Sequence, residues 1–178
     1  MDVALFDVPL ETIISKNRFM ASKPAHSGTE KLPSAGGIDY GILPELVGYH
    51  LRRAQVAAFG DFAAATRSLN LTPGLAGILI VVSRNAGLSQ TALARAMGIE
   101  NSTLVEVIDK LEQRDLVERR PAPRDRRTHA LYLSREGQHL VKRLEPLIRE
   151  HEARLLRDFT DAERQRFIDF LRRLGDAP

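Results

Sequence analysis

The chain has 178 residues, 43% hydrophobic and 28% charged, with a formal net charge of +3. That length supports one hydrophobic core better than two ordinary domains. There is no cysteine, which excludes disulfides, thiolate metal sites and thiol redox switches and suits a reducing cytoplasm.

The opening stretch MDVALFDVPLETII is interrupted by Asp2, Asp7, Pro9 and Glu11, so no secretory signal is expected. Its apolar residues, Leu5, Phe6, Leu10, Ile13, Ile14, Phe19 and Met20 among them, exceed what a disordered tail carries and predict a docking segment. Residues 22–41, rich in Gly, Pro and Ser, read as a linker. Residues 1–41 therefore form an N-terminal extension and linker. Apolar runs such as GILIVV at 77–82 fall far short of the roughly 20 residues a bilayer requires. No membrane partner is expected, and the expected location is cytoplasmic.

From Pro44 the pattern becomes helical. Leu43, Leu46, Val47, Leu51, Ala54, Ala58 and Phe62 recur at three- and four-residue steps, predicting one long amphipathic helix that ends near Asn70. Thr72 and Pro73 then supply an N-cap and first-turn proline for a buried helix closed by Asn85 and Gly87. Ser89 caps a third helix carrying Leu93, Ala94 and Met97, which Gly98 stops. In the fourth, Leu104, Val107, Ile108 and Leu111 form the inner stripe, and Ser102, Thr103, Val105, Glu106, Asp109 and Lys110 face away.

The period then changes to two. LVERR and HALYLS read as strands with Val117, Leu131 and Leu133 facing inward, and PAPRDR, with two prolines, reads as the unpaired loop between them. Ser134 caps a return to helix over 135–158 and 161–174, with a kink expected at Pro146. Between Arg114 and Arg127 six arginines face three acids, a local excess equal to that of the whole chain. Helix, tight turn, helix and charged hairpin make a winged helix-turn-helix, whose second helix fits the major groove of B-DNA. The expected class is mainly α with a small β-hairpin. The winged helix-turn-helix spans 71–134, and flanking helical regions at 42–70 and 135–178 serve dimerisation.

Residues 88–138 resemble the MarR family of bacterial transcriptional regulators, and 44–174 as a whole fit that resemblance. Its most specific carrier is Asp-x-Arg followed by Leu-x-Leu-Ser-x-x-Gly, here Asp125, Arg127, Leu131, Leu133, Ser134 and Gly137. The resemblance implies a homodimer that interlaces its N- and C-terminal helices and reads a pseudo-palindromic double-stranded operator. It implies that Asp125 braces Arg127 for entry into the minor groove, that Arg124 and Arg126 meet phosphates, and that Ser89, Gln90 and Thr91 lie near the DNA backbone. Asn101, Ser102, Thr103, Glu106 and Lys110 fall on the reading face. Many relatives carry Thr-Arg or Ser-Arg where this chain has Val105-Glu106. Glu106 either accepts a hydrogen bond from cytosine N4 or makes weak sites unattractive, so the operator sequence stays open.

For effector binding, the resemblance points to a crevice between the first long helix and the DNA-binding lobe. Tyr49, His50, Arg52, Arg53 and Phe59 are the candidates, suited to an aromatic carboxylate or an aromatic acyl-CoA because guanidinium forks grip carboxylates and phosphates. The competing reading makes the aromatic residues dimer core and the arginines solvated. The five histidines, His26, His50, His129, His139 and His151, show no spacing typical of a helical metal site. No nucleophile motif or phosphate loop is present, so neither enzymatic activity nor a cofactor is expected. The expected function is a ligand-responsive repressor. The alternatives are a winged-helix protein-interaction module, favoured by Glu106 and the modest net charge, and a metal-responsive regulator.

Overall fold

The structure is a computed structural model that describes residues 38–122 and 125–175; from 122 to 128 it describes no side chains. By its contacts the chain divides at Gly60/Asp61 into two units.

In the first unit, a 3-10 turn at Leu43–Glu45 holds Pro44, and Leu46 is extended before α1 (Val47–Ala65) begins. The predicted long helix is therefore shorter at both ends. Its last residues belong to the second unit, where Thr66, fully buried, donates its hydroxyl to the Phe62 carbonyl at 2.9 Å. A 3-10 turn follows at Arg67–Leu69, and Asn70, at φ 50°, reverses the chain. Asparagine tolerates this left-handed conformation better than most residues.

The second unit continues with α2 (Pro73–Arg84), β1 (Leu88–Ser89), α3 (Gln90–Met97), α4 (Asn101–Gln113), β2 (Val117–Ala122), β3 (Asp125–Leu133), α5 (Arg135–Leu155) and α6 (Asp161–Gly175). The predicted caps form. Thr72 accepts from the Leu75 amide at 3.3 Å, Ser89 from Ala92 at 3.2 Å and Ser134 from Gly137 at 2.9 Å. Gly98, at φ 64°, ends α3. A capping box absent from the sequence reading opens α6: Glu163 returns to the Thr160 amide at 2.8 Å while Thr160 accepts from the Glu163 amide at 3.3 Å. α5 runs through Pro146 without a break in the helix.

Two features of the sheet differ from expectation. The short β1 pairs with β3, making a three-stranded antiparallel sheet in the order β1-β3-β2 rather than a lone hairpin. The hairpin strands also reach further than predicted: Pro121 pairs with His129 and Ala122 with Asp125, across a register shift between Pro121 and Ala122. Proline is tolerated there because β2 is an edge strand and the bulge relieves its missing donor.

The core is built from one side of each element. Leu79, Leu93, Leu104, Ile108, Leu111, Leu131 and Leu144 are wholly buried, with Val82 and Val117 almost so. Each such side chain contributes on the order of 1.5–3 kcal/mol by leaving water. His151, also buried, lies edge-on to Phe62 and donates from Nδ1 to Asp61 at 2.7 Å. That hydrogen bond, aided by Arg154 and opposed by partial burial, holds the Asp61 carboxyl below its ordinary pKa of 3.8. His151 is thus a satisfied core histidine. Among the described residues no group of three or more His, Asp or Glu side chains is arranged to hold a metal ion, and no helix is long and apolar enough to cross a membrane.

Candidate nucleic-acid interface

Helix α4 is held by one face and presents the other. Leu104, Ile108 and Leu111, at i, i+4 and i+7, have no exposed surface. Asn101, Ser102, Thr103, Glu106 and Lys110 are all exposed, as the sequence predicts. Val105 joins them at 42% exposure. Glu100 precedes the helix without a side-chain cap, and the first turn holds no acid, so its amide groups and positive dipole end remain suited to a phosphate. Hydroxyl, amide, carboxylate and ammonium groups therefore share one solvent-facing surface beside a small apolar side chain. Such a surface suits the donors, acceptors and thymine methyls of the major groove.

At the start of α3, Thr91 and the preceding Ser89 are exposed, with the Ser89 hydroxyl already engaged in its cap. Gln90 is half-buried, and its Oε1 accepts from Arg119 Nε at 3.0 Å. At the hairpin, the backbone puts Asp125, Arg126 and Arg127 at the start of β3, next to the tip. Their side chains, and all of Arg124, lie outside the described residues, and so do the bracing, groove-reading and phosphate roles expected of them.

The cationic segment is less free than its composition implies. Arg114 donates to the Leu69 carbonyl at 3.0 Å. Arg119 lies between two acids of α4, 2.7 Å from Asp109 and hydrogen-bonded to Glu112. Arg120 pairs with Glu118 at 2.9 Å and stacks over the Tyr132 ring at 4.7 Å. Three of the six arginines thus have partners within the chain, though only Arg119 is largely covered. Asp109 faces away from the buried stripe, as expected, and pairs there with Arg119 of the wing. The signal was present in the sequence: acids three residues apart on one helix flank, followed by an arginine early in the next strand.

Of the candidate effector residues in the first unit, Tyr49, His50 and Arg53 meet one another, whereas Arg52 and Phe59 lie apart from them on α1. The Arg53 guanidinium lies 5.5 Å from the Tyr49 ring centroid and donates to its hydroxyl at 3.4 Å. His50 donates to the Pro44 carbonyl at 2.8 Å, Arg52 to Gln55 at 3.1 Å, and Phe59 is 45% exposed. A separate cleft of about 430 Å³ in the second unit is lined by Arg84, Arg120, Tyr132, Lys142 and Glu145 over an apolar floor that includes Val82 and Val141. None of the five predicted effector residues lines it.

The MarR family model matches residues 71–129. A Thauera aromatica protein, described as "Putative transcriptional regulatory protein for hcr operon", is 38% identical over 153 residues, which span 85% of this chain and 89% of that protein. The repressor CouR bound to a 23-mer DNA duplex superposes with a TM-score of 0.73 at 34% identity, over 78% of this chain and 98% of that one. The chain belongs to the MarR family. As a MarR-family protein it is a transcriptional regulator, and its helix-turn-helix and wing are the parts that the family model spans. CouR bound to p-coumaroyl-CoA superposes equally well, with a TM-score of 0.73 at 31% identity over 79% of this chain and 99% of that one. Membership of the MarR family, whose members are regulators rather than enzymes, favours this reading over the interaction module.

Proposed function

We propose that the protein is a cytoplasmic, homodimeric repressor that binds a pseudo-palindromic DNA operator and leaves it when an aromatic acid or aromatic acyl-CoA binds. The observation that carries this reading is the two-faced α4: a wholly buried Leu104/Ile108/Leu111 stripe behind an exposed face bearing Asn101, Ser102, Thr103, Val105, Glu106 and Lys110. The N-terminal part of α4 enters the major groove, with Val105 available to thymine methyls and Glu106 to cytosine N4. Ser89, Gln90 and Thr91 lie along the backbone. Arg127, braced by Asp125, enters the minor groove, and Arg124 and Arg126 meet phosphates. The helical regions 42–70 and 135–178 carry dimerisation, 71–134 carry DNA binding, and 1–41 are an extension. The likeness to CouR in its DNA-bound and p-coumaroyl-CoA-bound forms supports both halves of the proposal.

Release requires the effector to prefer a conformation whose two α4 helices no longer match half-sites about one helical turn apart. Tyr49, His50, Arg52, Arg53 and Phe59 of the first unit supply aromatic surface and guanidinium forks for such a ligand. The direct test is to select duplexes from a random-sequence library and repeat the binding with p-coumaroyl-CoA and with free aromatic acids. Recovery of one pseudo-palindromic sequence, released by an aromatic ligand, is expected; indiscriminate recovery leaves the interaction module standing. Arg53→Ala should abolish the ligand's effect. If Arg120→Ala does so instead, the cleft beside Tyr132 is the effector site.

A further inference from the structure

Arg119 belongs to the most cationic part of the sequence, but its surroundings do not suit a phosphate contact. Its side chain is 19% exposed, and both Asp109 and Glu112 of α4 lie against its guanidinium. Nε donates to Gln90 on α3 at 3.0 Å, and the Arg119 backbone amide donates to the second oxygen of Glu112 at 2.9 Å. One guanidinium on β2 therefore joins both helices of the helix-turn-helix to the wing. With two carboxylates on one cation, the cluster carries net negative charge and repels phosphate.

We propose that Arg119 is a positioning residue for DNA reading: it fixes the α4 face relative to the hairpin so that groove contacts from both are made in one register. The proposal rests on the DNA-reading function proposed above. The planar guanidinium spans the site, with Nε meeting Gln90 and Nη1 meeting both acids; a lysine ammonium keeps the charge but gathers its donors on one atom. The shared core joins α4 to the sheet through Leu111, Leu116, Val117 and Leu131, and the Arg119 contacts add a tie outside it. Asp109 and Glu112 lie on the flank of α4, away from its buried leucine and isoleucine stripe. Sequence is read by contacts to base edges, so a residue that orients the reading face without touching DNA acts through those contacts rather than through backbone affinity.

The test is Arg119→Lys in the full-length protein, with two readouts. In the free protein, amide hydrogen exchange should quicken at residue 119 and along the adjoining turns of α4, with the thermal midpoint little changed. In mobility shifts, affinity for the duplex that the wild type selects should fall about tenfold, while affinity for a scrambled duplex and the salt dependence stay as they were. Lysine serves as a phosphate ligand, so a backbone-contact role predicts near-normal binding in this variant. Wild-type specificity in Arg119→Lys, or unchanged exchange, overturns the proposal. Glu112→Gln loosens the same network from the other side and gives the same readouts if the lysine variant folds poorly. If the wild type selects no duplex, the DNA-reading function fails, and the exchange experiment still decides whether the clamp exists.

Discussion

At Gly137 there is room for a hydrogen and nothing larger, because a Cβ would lie 2.0 Å from the Leu116 carbonyl oxygen. This explains physically why glycine follows Ser134 by three residues. Ser134 caps α5 and donates to the Asp115 carbonyl, drawing the first turn of α5 onto the end of α4. Gly137→Ala should therefore cost about 3 kcal/mol, at the upper end of overpacking effects, read as a lower midpoint in denaturant unfolding. Asp61 offers a pH test with a definite sign. Its carboxyl is held below 3.8 by His151 first and then by Arg154, so the folded state binds the proton less readily than the unfolded chain. The stabilisation is complete above the ordinary carboxylate pKa and is lost as pH falls through the depressed folded value. Asp61→Asn should flatten the stability profile in that acidic window; a profile identical to the wild type would contradict the assigned hydrogen bond.

Among the elements, α4 separates stability from reading. Leu104→Ala should cost about 2–5 kcal/mol because it empties a wholly buried site. Ser102→Ala, on the exposed face, should change stability by less than about 0.5 kcal/mol while altering the bases recovered by duplex selection. Both faces were legible in the sequence, since an apolar period of 3.6 specifies a helix and its buried side together. The hairpin was less legible. Pro121 and Pro123 argue locally against pairing, but pairing to the central strand β3 carries β2 through Pro121 to Ala122. The two-residue β1 was missed because Leu88–Ser89 has no strand pattern of its own and pairs only where Leu131 and Ala130 come alongside. Likewise, α1 ends at Ala65 because Thr66 and Asn70 redirect the chain, a local interruption that the apolar spacing obscures.

For the whole molecule, α6 is the element whose sequence exceeds what one chain buries. It contains no buried residue, and Phe167, Phe170, Leu171 and Leu174 remain 39–60% exposed. In the proposed dimer these side chains meet the second copy. Phe170→Glu combined with Leu174→Glu should therefore shift sedimentation from dimer to monomer and weaken operator binding. Arg127→Ala should weaken operator binding and leave the dimer intact, with the same two measurements reporting the contrast. Wild-type affinity should fall steeply with added salt, since each phosphate contact releases counterions; a flat dependence would contradict the backbone contacts. Periodicity, caps and turn residues are local properties, so the sequence by itself determined the helix order, the winged helix-turn-helix and the exposed face of α4. Only the tertiary structure decided where the arginines go. Charge counting makes 114, 119 and 120 part of a basic patch, whereas folding brings Leu69, Asp109, Glu112 and Glu118 against them. Whether a cation is free for DNA depends on its neighbours in the fold: the Leu69 carbonyl lies 45 residues from Arg114 along the chain and no local pattern records it, whereas the acids beside Arg119 and Arg120 are close in sequence.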